Sequence, residues 1–223
     1  MRDNHMPMGT PDYSARGLNP GRLAAIERFA GRSILDVGCG NGIYVLQLAD
    51  RYDIRGVDYQ RFEAWTSRPD LFEVSDAHAL ALPDGSVDTI LSFETLEHLR
   101  EPTRALREYR RVARQNLILT VPNCELSEGM RRSGVIFNHW SDRSHVNFWD
   151  LGSIASEVTA AGFDVKVRDH INQINLGAVV MEALGLAGFA ARAGTSLFRR
   201  LQRGKYSMTC LLVAECSGTE RHQ

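Results

Sequence analysis

The sequence has few features that would commit it to an oxidising compartment, a bilayer or a polyanion. Its four cysteines, Cys39, Cys124, Cys210 and Cys216, form no C-x-x-C pair, which argues against a zinc knuckle or a disulfide framework and for reduced thiols in a cytoplasmic protein. Lys and Arg total 26 against 27 Asp and Glu, for a net charge of -1. That balance offers no overall attraction to nucleic acid or an anionic membrane, so nucleic acid is not an expected partner. The apolar stretch at 176–191 is interrupted by Glu182 and is too short to span a bilayer. Residues 1–18 lack the apolar core of a signal peptide and are expected to form a mobile segment of a protein that is not exported. Neither an internal repeat nor a low-complexity tract is present. What remains is a chain of 223 residues, 43% hydrophobic, which suffices for one α/β domain over 19–223.

The organising stretch is 33–42, SILDVGCGNG. Ile34, Leu35 and Val37 suit a buried strand, and the run breaks into Gly38, Gly40 and Gly42 before the helical apolar positions Ile43, Tyr44, Leu46, Leu48 and Ala49. Glycines at a strand-to-helix junction stand where open α/β sheets bind ligands. Asp36 ahead of the turn disfavours a diphosphate and favours a ligand carrying an ammonium group. The G-x-G-x-G spacing, with Ile43 in third place, departs from the dinucleotide fingerprint, and no Lys-Ser/Thr pair follows as in a phosphate loop.

Around this junction the pattern predicts a covering helix after the Asn19 cap and Pro20, with Leu23, Ile26 and Phe29 at helical spacing. Strands are expected over 53–58, 71–74, 87–93, 116–121, 163–167 and 208–216, and a helix over 151–161. Asp58 ends the second strand, where a carboxylate can accept two ribose hydroxyls; as an ordinary residue it would cap a short helix after Tyr59. The helix starting at Pro102 spaces Arg104, Arg107, Arg111 and Arg114 to share one face, read as a solvated surface. A helical insertion over about 170–206 contains the apolar stretch. It leaves a substrate lid, a homodimer contact or a peripheral membrane contact through 176–205; its apolar, glycine-containing character favours burial against protein as lid or dimer contact.

The DVGCGNG motif resembles the first motif of class I S-adenosylmethionine-dependent methyltransferases, and ALPDGSVDTILSFETLEHL is similar to the same family over its whole length. The resemblance covers roughly 34–216. It implies a Rossmann-like, doubly wound, seven-stranded sheet, mostly parallel with an antiparallel last strand. It also implies S-adenosylmethionine as cofactor: the glycine turn of Gly38 and Gly40 would hold the methionine part and Asp36 would position its amino group. Asp58 with Tyr59 would meet the ribose, Asp76 the exocyclic amine of adenine and Ala77 the ring, with Phe93 and Glu94 beside the methionine end.

Two clusters flank the expected methyl: Glu94, Glu97 and His98 after the fourth strand, and the loop from His139 to Trp149 after the fifth. Histidine suits removal of a hydroxyl proton near neutral pH, so His145 is the first candidate general base and His98 the second. Either imidazole would otherwise cap a loop or bond to backbone. His139, Trp140 and Trp149 are expected to shape the pocket. E-x-x-E-H, VPN at 121–123 and H-x-x-F-W at 145–149 are similar to small-RNA 2′-O-methyltransferases and in part to ubiquinone-pathway O-methyltransferases. The former resemblance would make Glu94, Glu97, His98 and His145 ligands of a divalent cation. The reading reached is O-methylation of a small-molecule, glycan or lipid-linked acceptor. A metal-dependent RNA 2′-O-methyltransferase and a non-catalytic cofactor-binding partner subunit are the alternatives.

Overall fold

The structure is a computed structural model that describes residues 17–134, 140, 142–202 and 206–218; the segment 1–16 and His139 lie outside the described residues. Seven strands form one sheet in the order β3-β2-β1-β4-β5-β7-β6: β1 (Ser33–Val37), β2 (Asp53–Asp58), β3 (Phe72–Val74), β4 (Val87–Phe93), β5 (Ala113–Pro122), β6 (Phe163–Gln173) and β7 (Ser207–Cys216). The first five pair in parallel, and β7 runs antiparallel to both β5 and β6. This is the Rossmann-like, doubly wound sheet with an antiparallel last strand that the family resemblance implies. The strand order reverses between β1 and β4, so the crevice at their carboxyl ends is the ligand position of such folds.

Helices cover both faces. α1 (Pro20–Phe29) starts where the Asn19 side chain accepts from the N–H groups of Gly21 and Arg22, with proline in the first turn. It packs with α2 (Ile43–Leu48) on one face, where Ile26, Ile34, Tyr44, Val45, Ile54, Trp65 and Phe93 share a cluster. α3 (Pro102–Val112) covers the other face, burying Leu106, Tyr109 and Val112. α4 (Glu128–Ser133) is a short helix after β5. α5 (Leu151–Ala160), held by an Asp150–Ser153 capping box, joins α3 with Ile154, Ala155 and Val158. β4, buried along nearly its whole length, reads as a continuous apolar run because both its faces are covered.

Three details differ from the sequence expectations. β6 extends to Gln173, beyond 167, because it pairs with β7 along its whole length; its polar residues Lys166, Arg168, Asp169 and His170 fit an edge strand whose exposed side faces water. The insertion therefore begins after Gln173, and its apolar run is divided into α6 (Gly177–Ala183) and α7 (Gly188–Gln202) by Gly185 and Gly188, both at positive φ. The arginine stripe is not one helix face: Arg114 lies in β5 and bonds Gly85 O and Asp88, while Arg111 clamps Glu108, Asp84 and the carbonyls of Leu80 and Leu82. No helix among the described residues is long and apolar enough to cross a membrane.

Candidate functional site

The glycine turn is built by the register of two strands. β1 pairs Val37 with Val57, and one step later the N–H groups of Gly38 and Cys39 both donate to Val57 O, at 2.8 and 3.1 Å. The chain thereby folds across the end of β2. Gly38 and Gly42 hold φ of 74° and 76°, a left-handed conformation that side chains resist. A Cβ at Gly38 would strike Thr95, and one at Gly42 would strike the Phe72 ring. Gly40, in contrast, has nothing within 4 Å of the place a Cβ would occupy, which leaves its main chain open to a ligand.

Asp58 secures the turn from β2: its Oδ2 accepts the Gly40 N–H at 2.9 Å. On the opposite side the Trp65 indole donates to Gly40 O at 2.8 Å, and this buried ring stacks on Phe72 with centroids 4.9 Å apart. The other Asp58 oxygen, Oδ1, is buried with no hydrogen-bond partner among the described residues. An orphaned buried acceptor costs free energy unless a ligand donates to it.

Asp36 is fully buried at the same rim. Burial pushes its carboxyl up to about 7; the Arg22 guanidinium works against the rise and the neighbouring Asp58 adds to it. Arg22 reaches this place from α1. Its Nη2 donates to Glu94 Oε1 at 2.6 Å, its guanidinium lies 5.0 Å from the Phe93 ring centroid, and its Nε is buried with no hydrogen-bond partner among the described residues. Glu94 meets it from a backbone at φ 52°, a strained geometry for a residue with a side chain. Three carboxylates, those of Asp36, Asp58 and Glu94, therefore stand with the Arg22 guanidinium about the half-buried glycine turn.

Asp76, Ala77 and Tyr59 stand on the same rim, more openly. β2 and β3 pair Asp58 with Val74, and Ser75 N donates to Asp58 O at 2.8 Å, so Asp76 follows directly. Its exposed carboxylate accepts from His78 N at 2.9 Å and faces the His78 ring at 2.7 Å, contacts that hold it below the ordinary carboxylate range. Ala77 is half-buried and the Tyr59 ring exposed.

The second cluster forms because the loop after β5 is tied to a 3-10 turn, Leu96–His98. Val146 N and Asn147 N donate to Glu97 O at 2.9 and 3.2 Å, and Asn147 Nδ2 donates to the carbonyls of Leu96 and Leu99. This clamp brings the His145 ring edge-on to His98, with centroids 4.8 Å apart. His145 Nε2 lies 3.6 Å from Asp142 Oδ2, and His98 Nδ1 lies 3.3 Å from Ser144 O. Glu97 lies beneath, buried, its Oε1 4.0 Å from His98 Nε2 and neither carboxylate oxygen hydrogen-bonded among the described residues. Burial and the charge of Glu94 push its carboxyl well above the usual range. Glu97, His98 and His145 offer one ligand atom each within 4.8 Å of one another. Glu94 does not join that group; it is engaged by Arg22.

The other aromatic expectations divide. Trp149 is a core residue, its indole donating to Glu157 Oε1 on α5 at 2.8 Å, so it fixes the loop's end rather than walling a pocket. Trp140 stacks on Phe148 with centroids 4.9 Å apart. Sequence reasoning missed Arg22, Trp65 and Asn147. Only Trp65, a large aromatic beside Phe62 in the connection between β2 and β3, carries a visible signal.

Comparison with known proteins bears on the same segment. Residues 35–121, from within β1 to near the end of β5, match the model of a family described as a methyltransferase domain. A probable S-adenosylmethionine-dependent methyltransferase of Mycolicibacterium smegmatis is 30% identical over 79% of this chain and 65% of its own. An O-methyltransferase of Pyrenophora dematioidea is 28% identical over 96% of this chain and 85% of its own. A solved S-adenosylmethionine-dependent methyltransferase from Archaeoglobus fulgidus superposes with a TM-score of 0.61 at 19% identity, covering 86% of this chain and 91% of that one, a likeness of fold. The chain spans between 32% and 65% of the length of the first three curated relatives it matches. The glycine turn, the strand order and the matched residues together place this domain in the class I S-adenosylmethionine-dependent methyltransferases.

Proposed function

We propose that this chain transfers a methyl group from S-adenosylmethionine to a hydroxyl of a small-molecule, glycan or lipid-linked acceptor. The orphaned atoms at the rim fit the cofactor. Asp58 Oδ1 is an unfilled acceptor where ribose hydroxyls would donate, and Arg22 Nε an unfilled donor where the methionine carboxylate would accept. Asp36 would meet the ammonium, Gly38 and Gly40 would let the main chain approach, Tyr59 would flank the ribose, and Asp76 with Ala77 would meet adenine. Phe93 and Glu94 would border the methionine end. When bound, the cofactor supplies an electrophilic methyl on a sulfonium.

The observation that carries oxygen as the target is the His98–His145 pair, clamped by Asn147 beside the methionine end. A hydroxyl is a weak nucleophile until its proton leaves, and His145, oriented by Asp142, takes that proton as general base. His98 steadies the ring edge-on. The Asp142 carboxylate, 3.6 Å from His145 Nε2, balances the imidazolium once it forms.

A divalent cation is the second reading, favoured by the close approach of Glu97, His98 and His145. These three would hold it and it would polarise the acceptor oxygen, although imidazole is a reluctant Mg²⁺ ligand. An RNA acceptor has less support, because Arg111 and Arg114 are committed to intramolecular bonds. A non-catalytic partner subunit would bind cofactor and transfer nothing.

His145→Ala is expected to lower turnover about a hundredfold or more, the low end of general-base catalysis, with cofactor affinity unchanged. Assayed as radiolabelled methyl transfer into cell extract, an unchanged rate would remove His145 from the mechanism. In the same assay a chelator is expected to leave transfer intact; loss restored by Mg²⁺ or Mn²⁺ would establish the cation reading instead.

Asp36 gives a pH signature. Its raised carboxyl makes the cofactor-free fold lose stability as pH rises from the ordinary aspartate value near 4 to about 7. Above that window the cost is on the order of 4 kcal/mol. Asp36→Asn without cofactor should therefore be more stable than the parent at pH 8, with the gap closing toward pH 4, in urea unfolding. A variant no more stable at pH 8 would contradict the assignment.

A further inference from the structure

The α6–α7 hairpin carries apolar surface that the other described residues do not cover. Within it, Gly177 packs against Phe198 and Thr195, and Gly194 against Met181. The opposite side of α7 repeats Phe189, Ala193, Leu197 and Leu201 every fourth residue, one continuous stripe. Phe189, Leu197 and Leu201 are 80%, 60% and 67% exposed. Val179 on α6, with Leu184 and Leu186 at the glycine-bounded tip, is exposed as well. Within the described residues this stripe is uncovered, so a contact outside the chain would have to cover it.

Charge says what would cover it. Residues 174–206 contain five cations, Arg192, Arg199, Arg200, Arg203 and Lys205, against the single acid Glu182, a net +4 in a chain whose total is -1. The remainder of the chain is therefore net -5. Among the described residues, Arg192, Arg199 and Arg200 form no ion pair, and Arg192 and Arg199 line a cleft of about 620 Å³ between the two helices. A second copy meeting this face in a two-fold dimer would oppose like charges. An anionic bilayer surface satisfies both properties together: the stripe enters the acyl boundary while the guanidinium groups meet headgroup phosphates.

We propose that the α6–α7 hairpin docks this protein on anionic lipid bilayers, with Phe189, Leu197 and Leu201 as the inserted residues and Arg192, Arg199 and Arg200 as the headgroup contacts. The neck of the hairpin stands on the rim that holds the carboxylates. Ile174 N donates to Tyr206 O at 2.7 Å, Thr209 pairs with Pro122 at the end of β5, and Asn172 Oδ1 accepts from the Asn19 side chain at 2.5 Å. Docking thus turns the crevice toward lipid. A lipid-linked acceptor follows from that orientation, a consequence that rests on the transfer reading; the docking itself does not.

The test is co-sedimentation of the full chain with vesicles of phosphatidylcholine alone or equimolar with phosphatidylglycerol. The parent should bind the anionic vesicles and lose binding as salt rises. Phe189→Ser/Leu197→Ser/Leu201→Ser should weaken binding at least about tenfold, from the apolar area withdrawn. Arg192→Gln/Arg199→Gln/Arg200→Gln should weaken it about fivefold per arginine. Cofactor affinity, measured by calorimetry on each variant, should stay at the parent value and certifies that the domain is folded. Equal sedimentation with both vesicles, or undiminished binding by the serine variant, would overturn the proposal. So would a parent dimer in light scattering that the serine variant converts to monomer.

Discussion

The site depends on placing carboxylates out of water at the ends of two adjacent parallel strands. Asp58 can occupy its position because one oxygen takes the Gly40 N–H, and that bond in turn fixes the open face of the glycine turn. Asp36 lacks comparable relief. Burial pushes its carboxyl up to about 7 even with the opposing field of Arg22, so its charged form is unfavourable there and a ligand ammonium would compensate it. A site strained in this way gains affinity from completing its own electrostatics.

Everything around the rim serves that arrangement. Trp65 holds the turn from outside through Gly40 O, and α1 delivers Arg22 from above. Asn147 joins two segments far apart in sequence, so that His145 meets His98 over a buried acid. The sheet supplies rigidity to one half of the site, while the histidine half is held by a few loop hydrogen bonds. That division explains how a shared cofactor fold accommodates different acceptors: loops can change without disturbing the carboxylate rim.

How legible this was in the sequence follows the range of the forces involved. β2 and β4 could be read with their boundaries, since burial on both faces leaves a nearly unbroken apolar run closed by a polar residue, and Asp58 could be placed at its strand end for the same reason. Arg22 could not. Nothing in the spacing of α1 says that its guanidinium meets Glu94, 72 positions later. The far half of β6 does not read as strand, and from about 170 it falls within the expected helical insertion, because an edge strand carries charge on its open side. The hairpin's apolar content predicts a contact surface, and the Phe189–Leu201 stripe, exposed in the single chain, leaves open from the sequence what covers it.

The most direct test is calorimetry of S-adenosylmethionine and of its demethylated product against the parent and Asp58→Ala. Both ligands should bind the parent at a single site. The variant should lose about ten- to a hundredfold in affinity, the worth of hydrogen bonds to a charged acceptor. A parent that binds neither ligand, or an Asp58→Ala variant that binds as the parent does, would contradict the account.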